Sequence, residues 1–189
     1  MKVLSGRDNG RRIEAPAGRA VRPTSARVRR SLFDMVESRF DLRECVVFDL
    51  FAGTGALGIE ALSRGAPQAV FVDIRPESIN VIRRNLATLR LEARASVTRM
   101  DVLQYVQRPW GPLDSNQLRL IFCDPPYDFD RWEEVLAHVP EGVVIVESNR
   151  EIHVAPRWEC LKMKSYGDTV VQLLHAQARE ELISEEGRA

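Results

Sequence analysis

Two short stretches of the 189-residue chain hold residue types that can do chemistry. The first is Asp49-Leu50-Phe51-Ala52-Gly53-Thr54-Gly55-Ala56-Leu57-Gly58. Its glycines let a backbone approach a ligand closely, and Gly53, Gly55 and Gly58 spell the Gly-x-Gly-x-x-Gly of dinucleotide sites. Asp49 argues against a dinucleotide. A carboxylate just before the glycines sits poorly beside a pyrophosphate but suits the ammonium of an amino acid. The second stretch is Asp124-Pro125-Pro126-Tyr127. Each proline fixes φ and lacks an N–H, so the carbonyls there are rigidly held. Asp124 and the Pro125 carbonyl can each accept one N–H of an exocyclic amine on a flat ring, and Tyr127 can stack on that ring. Holding both hydrogens draws the nitrogen lone pair out of conjugation and aims it at an electrophile. The plainer reading is a proline-stiffened turn with a capping aspartate. It does not explain why the loop follows a strand that should end opposite the glycine loop.

The Asp-x-Phe-x-Gly-x-Gly pattern resembles the first motif of S-adenosylmethionine-dependent methyltransferases. That resemblance implies S-adenosyl-L-methionine as cofactor, held by Asp49, Phe51, Gly53 and Gly55. It extends to Asp73 and Ile74 after the second strand and to Asp101 and Val102 after the third. Asp73 can accept both ribose hydroxyls there, and Asp101 the adenine amine. Each aspartate alone could be a loop or helix-cap residue; three at successive strand ends are harder to explain that way.

These motifs need a frame that brings strand ends together. From Glu44 onward, apolar runs alternate with helical periodicity. Strands are expected at 45–50, 69–74, 95–100, 118–123 and 143–147, with helices at 56–64, 77–89, from 101, and at 131–137. Repeated strand–helix units imply a doubly wound, mostly parallel sheet covered on both faces. Residues 158–164 and 169–174 read as two further strands with Tyr166-Gly167-Asp168 as the turn. No helix separates them, so they should form an antiparallel hairpin at the sheet edge. The fold class is therefore α/β, Rossmann-like, with seven strands. Before it, Asn9-Gly10 suits a β-hairpin turn. Pro23-Thr24-Ser25 offers a helix cap ahead of Val28, Leu32, Met35 and Val36. Residues 1–40 thus form a hairpin-and-helix extension within the same compact unit, residues 41–175 the catalytic domain, and 176–189 a charged tail.

Basic and acidic side chains balance at 27 each, which taken alone argues against a nucleic-acid partner. Their distribution reverses that. Residues 1–40 hold ten basic and four acidic side chains, so the arm carries 10 − 4 = +6 and the remainder −6. A basic arm of this kind is the footprint expected for a polyanion. Arg11, Arg12, Arg22, Thr24, Arg27 and Arg30 are its candidate phosphate contacts. No apolar run reaches the roughly 20 residues of a membrane span. Cys45, Cys123 and Cys160 lack Cys-x-x-Cys spacing, which argues against disulfides and zinc and fits a reducing cytoplasm. Cys123 reads as core rather than nucleophile. His138, His153 and His175, and Trp110, Trp132 and Trp158, read as surface or packing residues.

With these residues in hand, the chain resembles the RsmD family. The likeness spans Ser5 to Leu174 and includes residues 22–29 (Arg-Pro-Thr-Ser-Ala-Arg-Val-Arg), 57–66 (Leu-Gly-Ile-Glu-Ala-Leu-Ser-Arg-Gly-Ala) and Tyr166-Gly167-Asp168-Thr169. It implies methylation of a guanine N2 in 16S ribosomal RNA, at guanine 966, on an assembling or assembled small subunit, by a cytoplasmic monomer without metal. Asp124, Pro125, Pro126 and Tyr127 would be the catalytic residues. An aspartate with an ordinary pKa near 4 is a feeble base, so the proton should leave the amine with or after methyl transfer. A DNA adenine-N6 methyltransferase shares both motifs but usually carries a target-recognition domain, for which this chain has no room. An enzyme acting on a protein glutamine or a small molecule would not need the basic arm. A non-catalytic binding module would not need the second motif.

Overall fold

Long-range hydrogen bonds fasten the start of the chain to its interior. In the computed structural model, which describes residues 1–15, 25–114 and 117–176, Ser25 caps helix α1 (Ala26–Glu37) by accepting the Val28 N–H at 3.2 Å. Seven strands follow: β1 (Cys45–Leu50), β2 (Gln68–Asp73), β3 (Ala95–Arg99), β4 (Leu118–Cys123), β5 (Val143–Ser148), β6 (Trp158–Tyr166) and β7 (Thr169–Ala176). The helices between them are α2 (Ala56–Ser63), α3 (Pro76–Leu89), α4 (Val102–Val106) and α5 (Trp132–His138). All seven strands make one sheet in the order β3-β2-β1-β4-β5-β7-β6. The pairings among β1 to β5 are parallel, and β7 pairs antiparallel with both β5 and β6. The expected hairpin is therefore at the edge, with its second strand inside and its first outermost.

Side chains alternate across the strands and sort the core into two layers. Val47, Phe122 and Ile145 meet α1, α2 and α3 on one face. Val46, Cys123 and Val144 meet α4 and α5 on the other. The sheet order reverses between β1 and β4, which opens a crevice at the strands' carboxyl ends. Helix α2 lies close against β2 because Gly58 has no side chain; a Cβ there would stand 2.3 Å from the Phe71 ring.

The N-terminal hairpin is smaller than its sequence suggests. One antiparallel bridge, Lys2 to Arg12, closes it. The reason lies in its anchoring to α2. Ser63 accepts the Arg7 N–H through its carbonyl at 2.8 Å and the Asp8 N–H through Oγ at 2.9 Å. Gly6, at φ +78°, passes so near that a Cβ would lie 2.0 Å from the Ser63 carbonyl oxygen. Leu4 N–H donates to Glu60 at 2.8 Å, and Glu14 N–H donates to Asn85 Oδ1 of α3 at 2.7 Å. Chain drawn onto helices in this way cannot also extend a two-stranded ladder.

Arg29, one of the ten basic side chains of residues 1–40, does not face a polyanion. It is 2% exposed, donates to the Lys2 carbonyl at 2.6 Å, and has its Nε 4.0 Å from Glu60. Burial lowers its pKa, partly offset by the Glu60 charge. Its charge is spent inside the molecule, not on a partner. Arg22 and Thr24, like the tail beyond Ala176, lie outside the described residues.

Candidate active site

A cavity of about 790 Å³ opens over the carboxyl ends of the parallel strands. Each of the first five strands delivers one carboxylate to its wall: Asp49, Asp73, Asp101, Asp124 and Glu147. Asp49 is 2% exposed, and its Oδ2 accepts the Gly58 N–H at 2.8 Å. Burial pushes its carboxyl well above the usual carboxylate range, against the pull of that N–H and with the help of the Asp124 and Asp73 charges. Asp73 is also buried. Its Oδ2 accepts the Gly53 N–H at 2.8 Å and its Oδ1 the Arg75 N–H at 2.8 Å, which ties the glycine loop to the end of β2. A carboxylate has about four acceptor positions, so hydroxyls can still be added. Asp101 caps α4 by accepting from Leu103 N–H at 3.0 Å and Gln104 N–H at 3.3 Å through Oδ1. The cap uses Oδ1 of this side chain, which also lines the cavity.

The structure brings Phe51, Gly53, Ile74 and Val102 to the same wall. Phe51 adopts φ +61° and packs edge-on to Phe129, with ring centroids 5.1 Å apart. Ile74 is 56% exposed although apolar, the kind of surface that a flat ring covers. Gly55, expected to hold the cofactor, turns the chain into α2 at φ +75°, and a Cβ on it would meet Ile82 and Phe71 within the protein. Gly55 and Gly58 thus serve the turn and the packing, and Gly53 lines the cavity.

Asp124, Pro125, Pro126 and Tyr127 line the same cavity. The Tyr127 hydroxyl shares a 2.8 Å hydrogen bond with Thr169 Oγ1, at the start of β7. The hairpin turn is thereby joined to the proline loop. On its other side, Tyr166 bonds Ser31 of α1, and Lys164 Nζ reaches the same Ser31 at 3.5 Å. Glu147, Thr169 and Tyr166 belong to the cavity, and the sequence reading did not assign them. Their signal was the position of Glu147 at a strand end, and the Tyr-Gly-Asp-Thr motif itself.

Arg27 lines the mouth of the cavity. Arg27, Arg30, Ser31, Lys164 and Tyr166 line a shallow groove beside it. Arg12 is exposed, whereas Arg11 pairs with Asp8 at 2.8 Å and donates to the Thr88 carbonyl. Burial pushes the Cys45 thiol up to about 11 and raises that of Cys123 as well, so both are protonated packing groups.

The family model described as "Conserved hypothetical protein 95" matches residues 1–175. Ribosomal RNA small subunit methyltransferase D of Escherichia coli K12 is 28% identical over 191 residues, covering 96% of this chain and 92% of that one. The chain belongs to the RsmD family. The Bacillus subtilis protein described as "Putative rRNA methyltransferase YlbH" is 37% identical over 161 residues, covering 82% of this chain and 85% of that one. The solved structure of Escherichia coli yhhF superposes with a TM-score of 0.81 at 28% identity, covering 95% of this chain and 99% of that chain. The fold is the Rossmann-like class I methyltransferase fold, and RsmD proteins form a family of S-adenosylmethionine-dependent methyltransferases. The donor set fits such a cofactor: five carboxylates face a cavity that would take a sulfonium, an ammonium, a diol and an aromatic amine.

Proposed function

We propose that this RsmD-family protein methylates the exocyclic N2 of a guanine in 16S ribosomal RNA, on the small ribosomal subunit. The observation that carries this reading is that Asp124-Pro125-Pro126-Tyr127 lines the same cavity as Asp49, Gly53 and Asp73. When bound, the cofactor supplies a methyl group already activated on a sulfonium. Asp49 draws its ammonium, Asp73 accepts from its ribose, and Asp101 Oδ2 with Ile74 and Val102 receives its adenine. Asp124 and the Pro125 carbonyl hold the two amine hydrogens, which aims the nitrogen lone pair along the line of attack. The donor would supply the methyl to this nitrogen and keep the electron pair of its C–S bond, and the nitrogen, then acidic, would release its proton to water. Tyr127 supports the base plane. Catalysis is therefore mainly the orientation of two bound reactants.

The target base must leave its stack to reach this depth. Arg12, Arg27, Arg30 and Lys164 are the side chains set to hold the flanking phosphates, with Arg22 and Thr24 as candidates from sequence. Of the four, Arg27, Arg30 and Lys164 line the groove beside the cavity. The test is methylation of unmodified small subunits with labelled donor, followed by mapping of the modified base. Labelling at a guanine N2 supports the reading, and label on DNA adenine but not on rRNA overturns it. Asp124→Ala should abolish transfer while donor binding survives.

A further inference from the structure

Glu147 has no part in the scheme above, yet it is a carboxylate inside the cavity. It is 5% exposed. Cys123 pairs with Val146, so Asp124 and Glu147 come next on adjacent strands. Val143 and Ile145 face the layer covered by α1, and alternation puts Glu147 on that same face. Its other neighbour is Val171 of β7, two residues beyond Thr169. The row of carboxylates thus divides. Asp73 and Asp101 end β2 and β3, in the half assigned to the donor. Asp124 and Glu147 end β4 and β5, in the half that also holds Tyr127 and Thr169.

We infer that Glu147 accepts the ring N–H adjacent to the target amine and is thereby a specificity-determining residue of this site. The inference rests on the guanine-N2 reading and deepens it. A guanine presents three donors along one edge: two on N2 and one on N1. Asp124 and the Pro125 carbonyl take the first two, and the third needs another acceptor on the neighbouring strand. Adenine and cytosine carry an exocyclic amine too, but the ring nitrogen beside it on the pairing edge is a lone pair. A carboxylate facing that lone pair repels it, which is costly in a buried site. Asp124 alone cannot make this distinction, because all three bases offer it an amine. The second carboxylate can.

The experiment uses small-subunit rRNA with either guanine or 2-aminopurine at the target position. 2-Aminopurine keeps the exocyclic amine at C2 but has a lone pair at N1. Wild-type protein should favour guanine by about a hundredfold or more, as sites built around a substrate donor do. Glu147→Gln can turn an amide N–H toward that lone pair. It should lose activity on guanine and gain it on 2-aminopurine, bringing the ratio within about tenfold. Each ratio is taken within one preparation, so the folded fraction cancels. A wild type that methylates both RNAs equally overturns the inference, whatever the variant does. So does a Glu147→Gln protein that loses both activities in proportion, the mark of a merely structural role. A wild type that methylates neither RNA removes the guanine-N2 reading itself, and the inference with it.

Discussion

The Asp49 carboxyl lies buried beside Asp73 and Asp124, and its protonation should follow its ligand. Its folded pKa is raised, so the protonated form is favoured in the fold. The stability this confers is present at low pH and is lost as pH rises through the raised value. A cationic donor needs the ionised form, so its affinity should strengthen over that same rise. Calorimetric titration across pH should show donor affinity falling as pH drops into the window above the usual carboxylate range. Asp49→Asn should flatten the dependence; an unchanged slope in that variant would remove Asp49 from the role. Tyr127 offers a second residue-scale test. Thr169→Val removes its 2.8 Å partner while keeping shape and burial. A lost neutral hydrogen bond of about 1 kcal/mol should lower kcat/KM roughly fivefold, with donor binding unchanged. Combining Thr169→Val with Tyr127→Phe should cost no more than either alone, which a double-mutant cycle reads directly.

At the scale of elements, the N-terminal arm and α1 are held to α2 through Glu60. This side chain is 1% exposed and serves Leu4 N–H at 2.8 Å, Arg64 Nε at 2.9 Å and the buried Arg29. Glu60→Ala strands a buried guanidinium and should cost roughly 3–5 kcal/mol in denaturant unfolding. Glu37→Ala removes a pair with Arg64 whose carboxylate is 39% exposed, and should cost no more than about 1 kcal/mol. Equal effects would show that the buried charge is not what couples the two helices. The elements themselves were legible in the sequence. Strands β1 and β4 match their expected spans, and the other boundaries move by one or two residues. What was not legible is contact between elements. Arg29 lies within a run of arginines, and no local pattern shows that it points inward at Glu60. Gly55 satisfies a ligand motif while serving α2, since one residue type answers both demands. Glu147 ends an otherwise ordinary buried strand, and only the sheet order sets it beside Asp124.

The whole molecule divides its charge less simply than its first 40 residues suggest. Arg29 faces Glu60, and Arg7 and Arg11 share Asp8. Among the arm's exposed cations, Arg27 and Arg30 share a groove with Lys164 from the far end of the chain. Binding of rRNA should therefore weaken with salt. The double variant Arg30→Ala, Lys164→Ala should bind less tightly at low salt and show a slope shallower by about 1 to 2, with donor affinity unchanged. A slope equal to that of wild type would place the RNA elsewhere.

The strand order also constrains how the molecule is made. The last strand in the chain, β7, sits between β5 and β6, and its Thr169 completes the Tyr127 contact. The turn before it reaches back to Ser31, 135 residues earlier. A nascent chain that has emerged only through β5 thus lacks Thr169, the partner of the Tyr127 hydroxyl. It also presents β5, an unbroken buried strand in the finished protein, as an open edge. Closing loops of this length is slow relative to local helix formation. The capacity to act on RNA is therefore switched on late, when the two ends of the chain meet, and a polypeptide interrupted before that point exposes an edge prone to aggregation.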